Sequence, residues 1–164
     1  MMIKPTHITT ETLENQKIIY IRFRGSYVAF RKNSRKMFKE LFDFATEQDL
    51  IDPEITKVLT MYNDNPFITE EKNLRTTMVM TVSNQVEIKE SGNVCIGSIS
   101  GKFGVGHFDL SAKEYEAAWQ YMYQEWLFKD TSQIRDAIPF ELYVTEPPKN
   151  MRDKSLTDIY IPIN

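Results

Sequence analysis

A carboxylate and several aromatic hydroxyls alternate with apolar residues near the carboxyl end of the chain. In the segment 139–145, Phe140, Leu142 and Val144 share one face. Glu141 and Tyr143 take the opposite face, since successive side chains of a strand point to opposite faces. In the segment 157–163, Tyr160 is likewise set against three isoleucines. The apolar faces are the expected partners of helices. We therefore predict that Glu141, Tyr143 and Tyr160 converge on the other face of the sheet.

A carboxylate among aromatic rings has a clear chemical use. The rings offer flat apolar walls and faces that attract cations. A carboxylate left unpaired in a dry pocket is costly, so a cationic ligand would gain affinity by neutralising it. The alternative is structural: Glu141 is then a solvated strand residue, and the tyrosines only pack on the sheet.

An internal repeat indicates that the chain is built from two related halves. The segment 21–26 resembles 106–111 at an offset of 85 residues, and the segment 58–65 resembles 139–146 at an offset of 81. The difference between the offsets means only that loop lengths differ. The order and the pattern of the elements agree in both halves, which strengthens the interpretation.

The repeat adds candidate residues from the first half. Thr60 and Tyr62 stand at the positions of the carboxylate and its neighbouring tyrosine, and Met78 stands at the position of the last tyrosine. Tyr20 lies opposite the aliphatic set of its own strand. A methionine in such a set adapts to the shape of a ligand.

Periodicity predicts the same elements in each half: strand, strand, helix, strand, strand. The expected ranges are strands 8–13 and 18–24, helix 28–47 and strands 57–63 and 74–82, then strands 94–99 and 103–109, a helix from Ser111, and strands 139–145 and 157–163. Ser111 and Glu114 form the S-x-x-E pattern of a helix capping box. We therefore predict one α+β domain over 1–164, with halves of about 1–82 and 93–164, an antiparallel sheet and both helices on one face.

Each predicted helix carries one apolar stripe that must be buried on a sheet. The stripe residues are Phe30, Met37, Phe38, Leu41, Phe42 and Ala45 in the first helix, and Tyr115, Ala118, Trp119, Met122 and Trp126 in the second. Core packing is therefore the first role of Trp119, which is also placed to reach the edge of a ligand site.

Composition narrows the function classes. The net charge is -3, so we expect no direct binding of nucleic acid, and the basic run 31–36 reads as a solvated helix face. The chain has a single cysteine, Cys95, which we expect to be a buried, inert thiol in a reducing compartment. No signal-peptide core and no membrane-spanning apolar run is evident, which indicates a cytoplasmic protein. The two histidines lack the spacing of a metal site, and glycines 101, 104 and 106 favour a strand that allows close backbone approach over a nucleotide-binding loop.

Four segments resemble the GyrI-like family, the small-molecule effector-binding domain of certain AraC-type and MerR-type transcription regulators. They are 20–27 at the end of a strand, 123–127 with its Trp-Leu pair, 139–143 with its apolar-Glu-apolar-Tyr pattern, and the closing strand 157–163. The resemblance runs from about residue 6 to the end. Ser26 departs from it where the family usually has proline, and the segment 110–112 replaces a second Gly-Pro-Tyr.

The resemblance implies a duplicated SHS2-type fold, with a central ligand cleft on the sheet face away from the helices. It also implies that Glu141 is the polar anchor of the ligand, as in drug-sensing members. The ligand-binding set that we predict is Glu141, Tyr143, Tyr160, Tyr62, Tyr20, Met78 and Trp119, with no cofactor and no metal. No helix-turn-helix precedes the domain, so we expect a free-standing binding protein.

Three functions follow as hypotheses. The first is binding of a small lipophilic or cationic effector or drug. The second is a hydrolase of reactive cyclopropane-type compounds, as in some family members, in which Glu141 is the general base and Tyr143 or Tyr160 positions the electrophile. The third is a gyrase-inhibitor-like interaction module, which retention on gyrase in a pull-down would test.

Overall fold

The protein is described here by a computed structural model, which covers residues 3–127, 129, 133–146, 150 and 152–164. Long strands and two helical segments account for most of these residues. In chain order they are β1 His7–Arg24, α1 Tyr27–Glu47, β2 Val58–Tyr62, a 3-10 turn Glu71–Asn73, β3 Arg75–Thr81, β4 Cys95–Ser111, a 3-10 turn Ala112–Glu114, α2 Tyr115–Gln120, a π-helical turn Tyr121–Leu127, β5 Phe140–Tyr143 and β6 Lys154–Ile163. The predicted α+β class is confirmed.

Two predicted pairs of strands are each one long strand. The predicted strands 8–13 and 18–24 belong to the 18-residue β1, and 94–99 and 103–109 belong to the 17-residue β4. The prediction of separate strands was wrong because the polar residues at the interruptions are compatible with an exposed strand. Asn15 takes a positive φ of 48° without ending β1.

The chain forms two compact units. The inner unit is Leu13–Ser100, and the terminal unit combines the chain up to Thr12 with Gly101–Asn164. Both β1 and β4 contribute residues to each unit.

In the inner unit, α1 packs on an antiparallel sheet of β1, β3 and β2. The register places Met78 between Ile21 of β1 and Thr60 of β2. Ser26 caps α1, since its hydroxyl accepts a hydrogen bond from the Ala29 N–H at 3.1 Å, which satisfies a backbone donor that the helix leaves free. The buried apolar cluster of this unit consists of Ile19, Ile21, Phe30, Met37, Leu41, Phe44, Ala45, Leu50, Met78, Met80, Val82 and Val94.

The stripe prediction for α1 needs one correction. Phe38 and Phe42 are 39% and 44% exposed, whereas Phe44 is buried. The two exposed rings stack on each other with centroids 5.9 Å apart. Their helical spacing satisfied the pattern, but it places them at the edge of the buried face. The basic run 31–36 is exposed at Arg31, Lys32, Arg35 and Lys36, as predicted.

In the terminal unit, α2 packs on an antiparallel sheet of β4, β6 and β5. The Glu114 carboxylate accepts the Ser111 N–H at 2.8 Å, and the predicted capping box is confirmed. The predicted stripe is also confirmed, because its five residues belong to the cluster of Phe108, Leu110, Ala118, Met122, Ile159 and Ile161 with Tyr115, Trp119 and Trp126 packed against it.

Two glycines of β4 allow α2 and its π-helical turn to approach the sheet. A Cβ atom on Gly104 would collide with the Trp126 ring, and one on Gly106 would collide with Met122. The predicted close approach to this strand is therefore confirmed.

Cys95 is exposed, so the prediction of a buried thiol was wrong. The residue is the first of β4, and its side chain faces solvent there although its neighbours in sequence are apolar. Among the described residues, no helix is both long and apolar enough to cross a membrane.

Candidate functional site

A buried carboxylate lies between β5 and α2 in the terminal unit. Glu141 is 4% exposed. Its Oε1 accepts a hydrogen bond from the Trp119 indole N–H at 2.8 Å, and its Oε2 accepts one from the Tyr143 hydroxyl at 2.7 Å. Both carboxylate oxygens are thus held by aromatic side chains. Hydrogen bonds to an ionised group are short and strong, so the carboxylate has a fixed orientation.

Two further tyrosines belong to the surroundings of the carboxylate and of its donor Trp119. The Tyr115 hydroxyl and the Thr157 hydroxyl are hydrogen-bonded at 2.8 Å. Burial raises the pKa of Tyr115, and the nearby Glu141 charge raises it further. Tyr123 stacks on Trp119 with ring centroids 6.2 Å apart. At neutral pH the tyrosine hydroxyls keep their protons and remain hydrogen-bond donors.

Local sequence explains how these groups meet. Tyr115, Trp119 and Tyr123 are spaced by four residues, so they lie along one face of the helical segment. Residue Glu141 is opposite Ile159 in the β5–β6 register. Ile159 belongs to the cluster that packs under α2, and directly opposite residues share a face of the sheet. Glu141 therefore points toward α2.

The predicted convergence of Tyr160 with Glu141 and Tyr143 is contradicted by the register. Tyr160 is opposite Phe140, and their rings stack with centroids 4.5 Å apart. Tyr160 therefore lies on the predicted face, away from α2. Glu141 and Tyr143 lie on the α2 face, so their predicted position away from the helices was wrong. The error was to assume that all apolar residues face the helices: Phe140 is fully buried on the opposite face, so both faces of this sheet carry apolar residues.

The same register corrects one equivalence between the halves. Met78 is opposite Thr60 just as Ile159 is opposite Glu141. Met78 is therefore the counterpart of Ile159 and not of Tyr160. A slip of one residue moves every side chain of a strand to the other face, which is how the sequence comparison failed here.

Three predicted residues lie in the inner unit. Tyr62 is packed edge-on against Tyr27 with ring centroids 5.6 Å apart. Met78 is buried in the cluster under α1. Tyr20 is half-buried on the opposite face of the sheet, as predicted, and the Arg22 guanidinium lies 5.5 Å from its ring centroid.

The structure thus brings together Glu141, Tyr143 and Trp119 from the predicted set. Sequence reasoning placed Tyr115 in the core stripe and missed its hydroxyl as a polar neighbour of the carboxylate. The four-residue spacing from Tyr115 to Trp119 was the signal that could have found it. A buried carboxylate in an aromatic surrounding can bind a cation or accept hydrogen bonds from a polar ligand.

Metal binding has no support from the described part of the chain. No group of three or more histidine, cysteine, aspartate or glutamate side chains there has an arrangement that could hold a metal ion.

Comparison with known families now places the chain. Residues 6–164 match the model of the GyrI-like small molecule binding domain, and the chain belongs to that family. No curated protein sequence matches the chain significantly.

Solved structures of low sequence identity share the fold. The C-terminal domain of EcmrR is similar with a TM-score of 0.71 and 16% identity, over 96% of this chain and 97% of that domain. The present chain matches 57% of the length of the EcmrR polypeptide in the EcmrR–DNA complex. A hydrolase encoded by lin2189 from Listeria innocua has a TM-score of 0.59 and 11% identity, over 99% of this chain and 93% of that one. SAV2435 bound to tetraphenylphosphonium has a TM-score of 0.56 and 14% identity, over 97% of this chain and 94% of that one.

Proposed function

We propose that the protein binds a lipophilic organic cation, with the Glu141 carboxylate as the charged anchor. The observation that carries the proposal is the buried carboxylate whose two oxygens accept hydrogen bonds from Trp119 and Tyr143. The membership in a small-molecule-binding family supports a ligand at such a site.

The chemistry of the surroundings favours a cation with apolar substituents. Trp119, Tyr143 and Tyr115 are each half-buried, so aromatic surface extends from the carboxylate toward solvent. Aromatic faces attract cations, most strongly where water is excluded. A similar fold binds tetraphenylphosphonium in the case of SAV2435, which makes that cation a suitable probe.

Titration with tetraphenylphosphonium tests the proposal. Trp119 donates to Glu141, so we expect ligand binding to change the tryptophan fluorescence, and a ligand that binds only the folded state raises the melting temperature. Glu141→Gln keeps the shape and removes the charge. An interaction with a charged group contributes about 1.5–3 kcal/mol. We therefore expect the Glu141→Gln chain to bind the cation about tenfold more weakly or worse.

Glu116→Gln is the matched control, because Glu116 is an exposed glutamate of α2, the helix that carries Trp119. Its titration should equal that of the wild-type chain. Two outcomes refute Glu141 as the charged anchor. In one, tetraphenylphosphonium and a wider set of lipophilic cations bind the Glu141→Gln chain as tightly as the wild type; in the other, they bind neither chain.

A second candidate function is hydrolysis at the same carboxylate. The 2.7 Å hydrogen bond between Tyr143 and Glu141 joins a potential general base to a hydroxyl that could position an electrophile. The lin2189 protein of similar fold is described as a hydrolase. In this reaction Glu141 takes a proton from water while the water oxygen bonds to a strained ring carbon. The ring C–C bond at that carbon breaks, and the released carbon takes up the proton from Glu141.

Turnover separates the two candidates. A reactive cyclopropane compound incubated with catalytic amounts of the protein should gain the mass of one water, and Glu141→Gln should abolish this gain. Binding without any hydrated product would remove the hydrolase hypothesis and leave the binding function.

A further inference from the structure

A second polar cluster of the terminal unit is unused by the site at Glu141. It consists of Thr9 and His7 from β1, His107 from β4 and Asp158 from β6. His107 is opposite Asp158 in the β4–β6 register, which places these two side chains on one face of the sheet. Tyr160, two residues along β6, shares this face, which is the one away from α2.

The hydrogen bonds of this cluster form a relay through the two ring nitrogens of His107. Its Nδ1 lies 2.8 Å from Asp158 Oδ1, and its Nε2 lies 2.8 Å from Thr9 Oγ1. With the ring proton on Nδ1, the ring donates to the carboxylate and Nε2 accepts from the Thr9 hydroxyl. A hydroxyl bound to a base that is oriented by a third group is the signature of an activated nucleophile.

The ring of His107 is fixed from several sides. His7 stacks on it with centroids 4.2 Å apart and planes inclined by 11°. The Thr6 hydroxyl donates to the His107 carbonyl oxygen at 3.1 Å and also bonds the Nδ1 atom of His7 at 3.0 Å. A base that is held in one orientation loses little freedom when it takes up a proton.

The cluster is shielded but not closed. The His107 and Asp158 side chains are 23% and 14% exposed, and Thr9 is half-buried. Burial raises the pKa of Asp158, and the neighbouring His107 counteracts this shift. Burial and the Asp158 and Glu11 charges raise the pKa of Tyr160 to about 12, so its hydroxyl remains a proton donor on the same face.

We propose that Thr9, His107 and Asp158 form a nucleophilic site that transfers the acyl group of small activated esters. Thr9 Oγ1 forms a bond to the carbonyl carbon while its proton passes to His107 Nε2. The ester C–O bond then breaks, and the leaving alcohol takes that proton. In the second half, Nε2 deprotonates water, which attacks the acyl-threonine, releases the carboxylic acid and restores the Thr9 hydroxyl.

Acetylation by 4-nitrophenyl acetate tests the proposal. The exposed thiol of Cys95 would react with this ester, so the Cys95→Ser chain serves as the reference. We expect a burst of 4-nitrophenolate and an acetyl group on Thr9, located by peptide mass mapping. General-base assistance is worth about 10²–10⁴-fold, so Thr9→Val and His107→Gln should each slow the burst by at least about 100-fold.

Two matched variants complete the design. Thr9→Ser keeps a hydroxyl at the same place and should retain the burst, with the acetyl group at the substituted position. Thr10→Val changes the exposed neighbour on β1 and should leave the burst unchanged. Circular dichroism and thermal melting verify that each variant is folded.

Mapping on the reference chain decides the question even if a variant does not fold. Acetyl groups only on lysines or at the amino terminus, or no acetylation above a denatured control, overturn the proposal. An undiminished burst in a folded Thr9→Val or His107→Gln chain overturns it as well.

Discussion

The Thr76 hydroxyl offers a sharp test of the packing in the inner unit. Thr76 is completely buried, and its Oγ1 has no hydrogen-bond partner among the residues that the structure describes. Such a group has lost its water without replacement, at a cost of about 1–3 kcal/mol. Thr76→Val keeps the branched shape and removes the hydroxyl. We therefore expect this substitution to stabilise the protein by about 1 kcal/mol or more.

Thr157 is the matched control, since the repeat relates the two threonines. Thr76 is opposite Tyr62 in the β2–β3 register, and Thr157 is opposite Tyr143 in the β5–β6 register. Thr157 is equally buried, but its hydroxyl is bonded to that of Tyr115. Thr157→Val should therefore destabilise the protein by about 1 kcal/mol or more, because it also deprives Tyr115 of its partner.

Urea unfolding at pH 7 measures the change in the free energy of unfolding for each variant. Thermal melting should show a raised melting temperature for Thr76→Val and a lowered one for Thr157→Val. A change of 1 kcal/mol corresponds to a shift of about 2–4 °C for a chain of this size. If Thr76→Val destabilises the protein as much as Thr157→Val does, the Thr76 hydroxyl has a partner in solution and the argument from its burial fails.

Three further predictions concern the terminal unit. Trp119→Phe removes the indole donor of the Glu141 carboxylate and should lower the free energy of unfolding by about 1.5–3 kcal/mol in urea titrations; an unchanged value would show that this bond is not formed. The hydrogen bond from the Ser111 N–H is the largest cause that lowers the pKa of Glu114 in the folded state. The cap therefore contributes its full stability above the unfolded pKa of about 4.3, and this contribution is lost as the pH falls through the lower folded pKa. Glu114→Gln should therefore weaken the acid-side dependence of stability, and equal slopes between pH 5 and pH 2 would contradict it. Gly104→Ala places a methyl group against Trp126 and should cost about 1–3 kcal/mol, measured by thermal melting; a neutral effect would mean that the ring can move away.

The helices could be predicted well because their signals are local. The first was expected over 28–47 and spans Tyr27–Glu47, since about six turns of apolar periodicity leave little ambiguity. The second begins at a capping box that consists of two side chains and the backbone of one turn. Its π-helical turn, Tyr121–Leu127, could not be predicted, because its side chains fit ordinary helical spacing.

The sheet was less predictable because its faces depend on partners that are distant in sequence. Alternation correctly separated Glu141 and Tyr143 from Phe140, but the prediction that the apolar set faces the helix was wrong for this strand. That choice depends on the register with β6, where Ile159 stands opposite Glu141. The carboxylate was therefore predicted as a candidate site residue from its type, while its location next to α2 came only from the structure.

Comparison of the two units explains why the polar site belongs to one of them. Tyr115 and Phe30 correspond through the offset of 85 that also relates the capping serines, Ser111 and Ser26. In the terminal unit, the Tyr115 hydroxyl is hydrogen-bonded to the Thr157 hydroxyl.

In the inner unit, the corresponding Phe30 has no hydroxyl, and the Thr76 hydroxyl has no hydrogen-bond partner within the described ranges of the chain. Thr60 likewise stands where the terminal unit has Glu141. The duplicated packing of helix on sheet is thus kept in both units, because apolar burial tolerates exchange of residues of similar shape. A buried charge needs its own set of donors, so the carboxylate occurs only where Trp119 and Tyr143 are also present.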